Sequence, residues 1–316
     1  MNVLFTAKLS QKHQNKLQEQ FPQVQFFFFE HMDQALDLLD KAHIVVTYGE
    51  DLTEHLVLPL KQLKWVQVIS AGLDKMPLST LEKKEVWVTN VSGIHAIPMA
   101  EYTLGILIQL VRRFPVFYDL QKEKKWDRSV RVGEIYGKTI GILGTGAIGK
   151  EIARRAKAFG MRVLGLNRSG KEVSDVDQMF SRDQIEQLLK ESDFVVVITP
   201  LTKETRGLIG EKELTAMKPS AYLINIARGE VVDESALIRG LKEKKIAGAV
   251  LDVFSEEPLP KSHPFWELEN CFITPHVSGR SPYYMERALD IFIKNLDLFL
   301  RGNRELINLI PKGRGY

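Results

Sequence analysis

The chain has a single cysteine, Cys271, among its 316 residues. No disulfide can form within it and no cysteine-rich metal site can be built, which fits a reducing compartment. No apolar run approaches the ~20 residues needed to cross a bilayer. The first apolar run ends at Lys8, too early for a secretory signal. We therefore expect a cytoplasmic protein that has no membrane partner and binds no metal.

The chain also lacks a marked excess of charge of either sign. It carries 43 basic and 40 acidic residues, for a net charge of +3. This balance creates no field strong enough to attract a polyanion, so we expect no nucleic-acid partner. The hydrophobic share of 44% and charged share of 26% are typical of globular chains and exclude wholesale disorder. The length favours two domains over one.

Short apolar runs alternate with helical stretches in the first third of the chain. The runs predict strands at residues 3–5, 24–29, 44–47 and 65–69, because continuous apolar segments are typical of strands that helices cover on both faces. A long apolar helix then begins near Pro98, which suits the first turn of a helix. We therefore predict an α/β layer over residues 1–97 and a domain boundary after it.

A second series of strands follows that helix. Apolar runs predict six strands, at residues 138–143, 162–166, 194–199, 221–226, 246–251 and 271–274. With helical crossovers between them, they form a doubly wound parallel sheet over residues 98–283. An amphipathic helix is predicted from residue 284 to about 300, and this sheet does not need it as a connection between strands. We expect it to return to the first domain, which then comprises residues 1–97 and 284–316.

A glycine-rich loop connects the first strand of this second series to a helix. Its sequence, residues 144–149, has glycines spaced as G-x-G-x-x-G, which allow a tight turn, a close approach of pyrophosphate, and close packing of helix on strand. Phosphates then bind at the helix N-terminus. The alternative is a tight turn without a ligand, but the strand and helix on either side favour a dinucleotide. The predicted contacts are Gly144, Gly146, Ala147, Ile148 and Gly149.

The end of the next strand bears on the choice of cofactor. An NAD enzyme usually has Asp or Glu about 20 residues beyond the glycine loop, and here the position is Asn167. Asn167 would not repel a 2′-phosphate, and Arg168 and Ser169 beside it could bind one. We therefore predict that NADP(H) is preferred and that NAD(H) is possible. The alternative is a solvated Arg168 beside an asparagine that tolerates NAD.

Three ionisable side chains follow three other predicted strands. They are Arg228, Glu257 and His276, and the carboxyl ends of parallel strands share one crevice in such a sheet. An arginine, a carboxylate and a histidine suit the reduction of a 2-oxo acid. Taken singly, each could be structural or solvated, and Glu256 is a neighbouring alternative to Glu257.

These motifs together resemble those of the D-isomer-specific 2-hydroxyacid dehydrogenase family, which includes glyoxylate/hydroxypyruvate reductases, D-lactate dehydrogenases and phosphoglycerate dehydrogenases. The resemblance implies a flavodoxin-like substrate domain built from both chain ends, a Rossmann dinucleotide-binding domain, an active site in the cleft, and a homodimer. Its marks are the motifs at residues 144–149, 200–202, 205–207, 225–229, 257–258 and 274–276.

The resemblance assigns roles that agree with the chemistry of the side chains. His276 would exchange a proton with the substrate oxygen while hydride passes to or from the nicotinamide. Glu257 would hold the far ring nitrogen and favour the protonated imidazole. Arg228 would bind the 2-oxo acid through its carboxylate and carbonyl oxygen, a two-point grip that lysine could not reproduce.

Further positions follow from the same resemblance. Backbone amides of Ser70, Ala71 and Gly72 would receive the substrate carboxylate, and Tyr48 is either a specificity residue or a buried aromatic. Asp252 would hold the carboxamide of the nicotinamide. His95 lies near the domain junction and receives no role. The remaining positions expected at the cofactor are Thr103, Thr199, Pro200, Thr205, Ile226, Ala227, Ser278 and Gly279.

The leading hypothesis is a reductase of glyoxylate, hydroxypyruvate or a related small 2-oxo acid. Departures from the common family pattern at Asn167, Ser278 and residues 70–72 favour it. We also expect no serine-binding regulatory domain of the kind found in some phosphoglycerate dehydrogenases. One rival is an NAD-dependent dehydrogenase of a bulkier acid. Another is a non-catalytic dinucleotide sensor resembling a transcriptional corepressor, although the complete set of Arg228, Glu257 and His276 weighs against it.

Overall fold

The structure is a computed structural model that describes residues 1–70, 72–73, 75–311 and 313. The chain divides into two compact units, the first formed by Met1–Ile94 with Ser281–Tyr316 and the second by His95–Arg280. Both boundaries lie three residues before the positions expected from the sequence. No helix in the described ranges is long and apolar enough to span a bilayer.

The first unit contains a five-stranded parallel sheet in the order β2-β1-β3-β4-β5, the flavodoxin-like arrangement. Its strands are β1 (Asn2–Thr6), β2 (Gln25–Phe29), β3 (Ile44–Thr47), β4 (Trp65–Val68) and β5 (Trp87–Thr89). The helices between them are α1 (Gln11–Gln20), α2 (Leu36–Leu39), α3 (Glu54–Val57) and α4 (Leu78–Lys83).

The environment of the phenylalanine run in β2 differs from the one that the sequence predicts. The run predicts a strand covered on both faces, but β2 lies at the edge of the sheet, with β1 as its one neighbour. Only Phe26 is buried, and Phe27, Phe28 and Phe29 are half-buried. An edge strand has less of its surface covered, so even a continuous apolar run does not guarantee full burial.

The second unit contains a seven-stranded parallel sheet in the order β12-β11-β10-β9-β6-β7-β8, a Rossmann arrangement extended by one strand. Its strands are β6 (Thr139–Leu143), β7 (Arg162–Leu166), β8 (Gln178–Phe180), β9 (Phe194–Val197), β10 (Tyr222–Asn225), β11 (Gly248–Leu251) and β12 (Cys271–Ile273).

The helices of the second unit connect its strands or precede them. They are α5 (Ala96–Arg112), α6 (Phe114–Lys122), α7 (Ala147–Ala158), α8 (Ile185–Glu191), α9 (Glu211–Ala216) and α10 (Glu234–Lys242). The last helix, α11 (Tyr284–Leu300), belongs to the first unit. Short 3-10 turns occur at Met32–Ala35, Arg182–Gln184, Gly229–Val231 and Pro264–Glu267.

Helices cover both faces of each sheet. In β9, Val195 and Val197 join one apolar cluster while Phe194 and Val196 join the cluster on the other face. In β1, Phe5 and Leu4 are divided between two clusters in the same way. This alternation is what a sheet with two buried faces requires. It confirms the prediction of two parallel-sheet α/β domains.

Candidate active site

The glycine loop between β6 and α7 has a backbone that other residues could not adopt. Gly144 has a φ of +111°, and its amide donates to the Leu166 carbonyl at 2.9 Å. A Cβ atom on Gly149 would lie 2.1 Å from the Gly144 carbonyl oxygen. The first glycine therefore makes the turn, and the last lets α7 begin against it.

The middle of this loop offers room for a ligand. A Cβ atom on Gly146, which caps α7, would meet nothing within 4 Å, so a phosphate could approach the first amides of the helix. Thr199 lies beside the loop, and its Oγ1 is buried without a hydrogen-bond partner in the described ranges. A buried polar atom without a partner is unusual in a native protein. These residues therefore fit a dinucleotide.

Asn167, directly after β7, organises the loop in which the 2′-phosphate contacts are expected. Its Nδ2 donates to the Lys171 carbonyl at 2.9 Å and to Thr145 Oγ1 at 3.3 Å, and its Oδ1 accepts from the Ser169 amide at 3.1 Å. Arg168 is exposed and has no hydrogen bond or ion pair within the described part of the chain. The asparagine thus shapes the turn and leaves the Arg168 guanidinium in solvent.

Arg228 lies in a turn between β10 and a short 3-10 turn. Asn225 holds this turn, accepting from the Ala227 amide at 3.1 Å and donating to the Arg228 carbonyl at 3.1 Å. A Cβ atom on the next residue, Gly229, would lie 2.0 Å from the backbone carbon of Phe254. The turn that carries Arg228 is therefore packed directly against the segment after β11.

His276 and Glu257 are brought together from the segments that follow β12 and β11. His276 Nδ1 lies 2.8 Å from Glu257 Oε2, and Glu257 Oε1 accepts from the Phe254 amide at 3.0 Å. An ionised carboxylate can only accept, so we assign the hydrogen to Nδ1, which leaves Nε2 for proton exchange. The His276 side chain is 51% exposed. Glu256 is exposed and has no such contact in the described ranges.

Asp252 fixes the segment that carries His276. Its buried carboxylate accepts from the amides of Val277 and Ser278 at 2.9 Å each and from Thr274 Oγ1 at 2.5 Å. His276 itself has a φ of +52°, a conformation uncommon for a residue with a side chain. No sequence pattern indicates this anchoring role, because it arises from contacts between loops.

A tyrosine on α5 extends the same network. Tyr102 Oη lies 2.7 Å from Thr274 Oγ1. The pKa of Tyr102 is raised to about 12, chiefly by burial and in smaller part by the nearby Asp252 charge, and the bond to Thr274 works in the opposite direction. Tyr102 is therefore a neutral phenol at any physiological pH.

Several residues expected at the cofactor make contacts within the protein. Thr103 is buried and donates to the Met99 carbonyl at 2.7 Å within α5, and Thr205 donates to the Pro200 carbonyl at 2.6 Å. Ile226 and Ala227 are buried at the end of β10, whereas Ala147 is exposed and Ile148 half-exposed at the start of α7. Their contacts with a cofactor stay predictions.

Of the residues expected to bind substrate in the first unit, Ser70 has its hydroxyl bonded to the backbone. Ser70 Oγ lies 3.0 Å from the Tyr48 carbonyl and 2.9 Å from that of Gly72. Tyr48 is 40% exposed, so the buried-aromatic alternative is wrong. Tyr284, which the sequence identifies only as the start of a helix, donates to the Ile69 carbonyl at 2.5 Å. Ala71 lies outside the described residues.

The described residues contain no group of His, Cys, Asp and Glu side chains that could hold a metal ion.

Comparisons with known proteins agree with this geometry. Residues 104–278 match the family model for the D-isomer specific 2-hydroxyacid dehydrogenase, NAD binding domain. The chain is 37% identical over 264 residues to a glyoxylate reductase of Korarchaeum cryptofilum (strain OPF8), a match that covers 80% of each protein.

Two solved structures have the same fold over nearly the whole chain. A D-isomer specific 2-hydroxyacid dehydrogenase family protein from Aeromonas salmonicida subsp. salmonicida A449 has a TM-score of 0.87 and 33% identity, with 98% of each chain covered. The acyclic imino acid reductase Bsp5, in complex with NADPH and D-Arg, has a TM-score of 0.84 and 28% identity. The match covers 98% of this chain and 100% of that one.

Proposed function

The chain belongs to the D-isomer specific 2-hydroxyacid dehydrogenase family, and we propose that it reduces glyoxylate, hydroxypyruvate or a related small 2-oxo acid with NADPH. The product is the D-2-hydroxy acid wherever a stereocentre forms. Several relatives at similar identity are glyoxylate reductases. The observation that carries the proposal is the 2.8 Å contact of His276 with Glu257, beside the turn that carries Arg228.

His276 is the proton donor of the proposed reaction. A nicotinamide cofactor, when bound, supplies the hydride that reaches C2 of the 2-oxo acid. The carbonyl oxygen gains a negative charge as that bond forms. The imidazolium form of His276 gives it the proton on Nε2 and becomes the neutral ring that keeps its Nδ1 hydrogen on Glu257. Glu257 keeps Nδ1 engaged, so the ring presents Nε2 and cannot rotate freely.

Arg228 binds and polarises the substrate. Its planar guanidinium can donate to the carboxylate and to the carbonyl oxygen at once, which orients the carbon that receives hydride. Its turn is held by Asn225 and by the close approach of Gly229 to Phe254. The position of the guanidinium therefore depends on a rigid backbone, as a two-point contact requires.

The preference for NADPH rests on the loop after β7. Asn167 carries no charge that would repel a 2′-phosphate, and Arg168 is exposed beside it. A phosphate could accept from the Arg168 guanidinium in a charge-assisted contact. The similar reductase Bsp5 was solved with NADPH. NAD(H) remains the alternative cofactor.

We further propose that two copies of the chain associate through residues 114–136, which we name the arm. None of the residues of α6, which begins the arm, is buried, and Trp126 is 93% exposed. So many large apolar side chains in one segment are typical of a protein interface. Seven of them are exposed in the arm: Phe114, Val116, Phe117, Tyr118, Trp126, Val132 and Tyr136.

Two experiments test these proposals. Initial rates of cofactor oxidation should be measured with glyoxylate, hydroxypyruvate, pyruvate, 2-ketopantoate and phenylpyruvate, each with NADPH and NADH. We expect the highest kcat/KM with a small 2-oxo acid and NADPH. Binding of NADPH without turnover of any acid would favour the sensor hypothesis.

Light scattering tests the proposed dimer. It should give the mass of two chains for the unmodified protein, and Trp126→Asp should lower that mass towards that of one chain.

A further inference from the structure

A second histidine lies against the segment that carries His276. His95 comes directly before α5, and its Nδ1 lies 3.2 Å from the Gly279 carbonyl oxygen. A Cβ atom on Gly279 would be 2.9 Å from the same nitrogen. The imidazole of His95 therefore rests on the backbone of Gly279, and a larger residue there would displace it.

The His276 segment is thus held at both ends. At its start, the His276 amide donates to the Asp252 carbonyl at 2.8 Å, and the Asp252 carboxylate accepts from Val277 and Ser278. At its end, the Gly279 carbonyl meets His95. Because His276 is half-exposed and has a left-handed backbone, these backbone contacts supply much of the restraint on its position.

The surroundings of His95 keep its ring neutral. Burial lowers the pKa of His95, the charges of Arg228 and His276 lower it further, and the bond to Gly279 opposes these effects. The segment also contacts two carboxylates, those of Glu257 and Asp252. A neutral imidazole has one N–H group, and a carbonyl oxygen can only accept. We therefore assign the hydrogen to Nδ1.

We propose that His95 is a positioning residue of the site, which donates from Nδ1 to the Gly279 carbonyl and so holds His276 in place. Its ring stays neutral while His276 exchanges the proton. The inference rests on the proposed reductase function and adds a residue to it. His95 acts through the backbone of the His276 segment.

Replacing His95 with amides of different length tests the bond to Gly279. The Nδ2 of Asn can take the place of His Nδ1, whereas the longer Gln cannot place its amide there. We expect His95→Ala and His95→Gln to lower kcat ~10-fold and His95→Asn to lower it ~3-fold at most, the scale of one hydrogen bond. KM and NADPH affinity should change little. The exposed His55 supplies the control, since His55→Asn should leave all three constants unchanged.

A charge at position 95 tests how close that residue lies to His276. His95→Lys adds a permanent positive charge, so the alkaline limb of kcat/KM for reduction should move to lower pH by about one unit. His95→Asn should leave the limb in place. Equal losses in Asn, Gln and Ala would overturn the proposal, because a purely structural role predicts that result. A limb that His95→Lys does not move would also overturn it, because residue 95 would then lie too far from His276 to hold it in place.

Ring-nitrogen NMR separates this inference from the proposed function, since it needs no turnover. Spectra of the whole chain labelled with 15N-histidine, assigned by the signals lost in His95→Asn, should show a neutral Nδ1–H tautomer for His95 at neutral pH. An Nε2–H tautomer or a charged ring would overturn the inference even if the chain reduces glyoxylate. The expected tautomer in a chain that reduces no acid would contradict only the proposed function.

Discussion

The two units have the same architecture but carry different side chains at the ends of their strands. Both are open parallel sheets with helices on both faces. In the second unit, a glycine loop, Arg228, Glu257 and His276 come after β6, β10, β11 and β12. In the first unit, Ser70 comes after β4, and its hydroxyl is bonded to backbone carbonyls. The fold thus provides the edge of a sheet, and the side chains placed there determine the chemistry.

The largest contrast between the units should appear when one side chain is removed from each. His276→Ala removes the proposed proton donor and should lower kcat ~100-fold or more, the usual scale for general acid catalysis. Tyr48→Phe in the first unit should change kcat only ~3-fold at most, because it removes one exposed hydroxyl. Steady-state rates with glyoxylate and NADPH measure both variants. Equal losses would show that the first unit contributes as much chemistry as the second.

The glycine loop should be the least tolerant backbone of the second unit. Gly149→Ala places a Cβ atom 2.1 Å from the Gly144 carbonyl oxygen, so the loop must move away from the geometry that receives phosphate. We expect NADPH to bind at least ~10-fold more weakly, a loss of about 1.4 kcal/mol. Gly105→Ala in α5 is the matched control, since its Cβ would meet nothing within 4 Å. Fluorescence titration with NADPH measures both, and unchanged binding by Gly149→Ala would contradict the assignment.

Cofactor preference should respond to one residue after β7. Asn167→Asp places a negative charge where a 2′-phosphate is proposed, so the ratio of kcat/KM for NADPH over NADH should fall ~10-fold. Arg168→Gln should lower the same ratio by removing the cation, without the loss of the Asn167 contacts to Lys171 and Thr145. Rates with both cofactors give the ratio. If neither variant moves it, the 2′-phosphate is bound elsewhere or not at all.

The smallest expected effect is on thermal stability in mild acid. One histidine from each unit is replaced, and the two variants are compared. Burial is the main cause that lowers the pKa of His43 in the first unit and of His95 in the second below the usual 6.5. Below pH 6.5 the unfolded chain therefore binds more protons than the folded chain, so stability falls as the pH falls towards the folded-state pKa. Replacing either histidine with Asn should shrink the drop in Tm between neutral and mildly acidic pH by about 1–3 °C. Thermal unfolding followed by circular dichroism measures this, and a larger drop in the variants would contradict it.

Much of the fold is predictable from local patterns, and the exceptions have physical causes. The strands at residues 139–143 and 162–166 and the helix that begins at Tyr284 are visible as apolar or amphipathic runs. The strands β5 and β8 are three residues long and are not among the predicted strands, since so short a segment shows little periodicity. β12 is equally short and is predicted from its apolar run. Phe27, Phe28 and Phe29 are apolar but half-buried, because β2 lies at the edge of the sheet. That position could not be predicted, since the order of strands in a sheet cannot be read from one strand.

The part of the candidate site that could be predicted consists of side chains whose chemistry is evident from the residue type. Arg228, Glu257 and His276 each follow a predicted strand, and the carboxyl ends of parallel strands share one crevice. Asp252 as an anchor of the His276 segment, and His95 against Gly279, depend on contacts between distant parts of the chain. Asn167 shows what a sequence position alone leaves out. Its position bears on the choice of cofactor, but only the structure shows that its amide also holds the surrounding loop.

The most direct measurement is the initial rate of NADPH oxidation with glyoxylate, made in parallel on the unmodified chain and on Glu257→Gln. We predict rapid turnover by the unmodified chain. We predict ~10- to 100-fold lower kcat for Glu257→Gln, because a neutral amide holds the His276 ring less firmly. NADPH that binds but is not oxidised by any 2-oxo acid, or equal turnover by both proteins, would contradict the proposed reductase and the role of the His276–Glu257 pair.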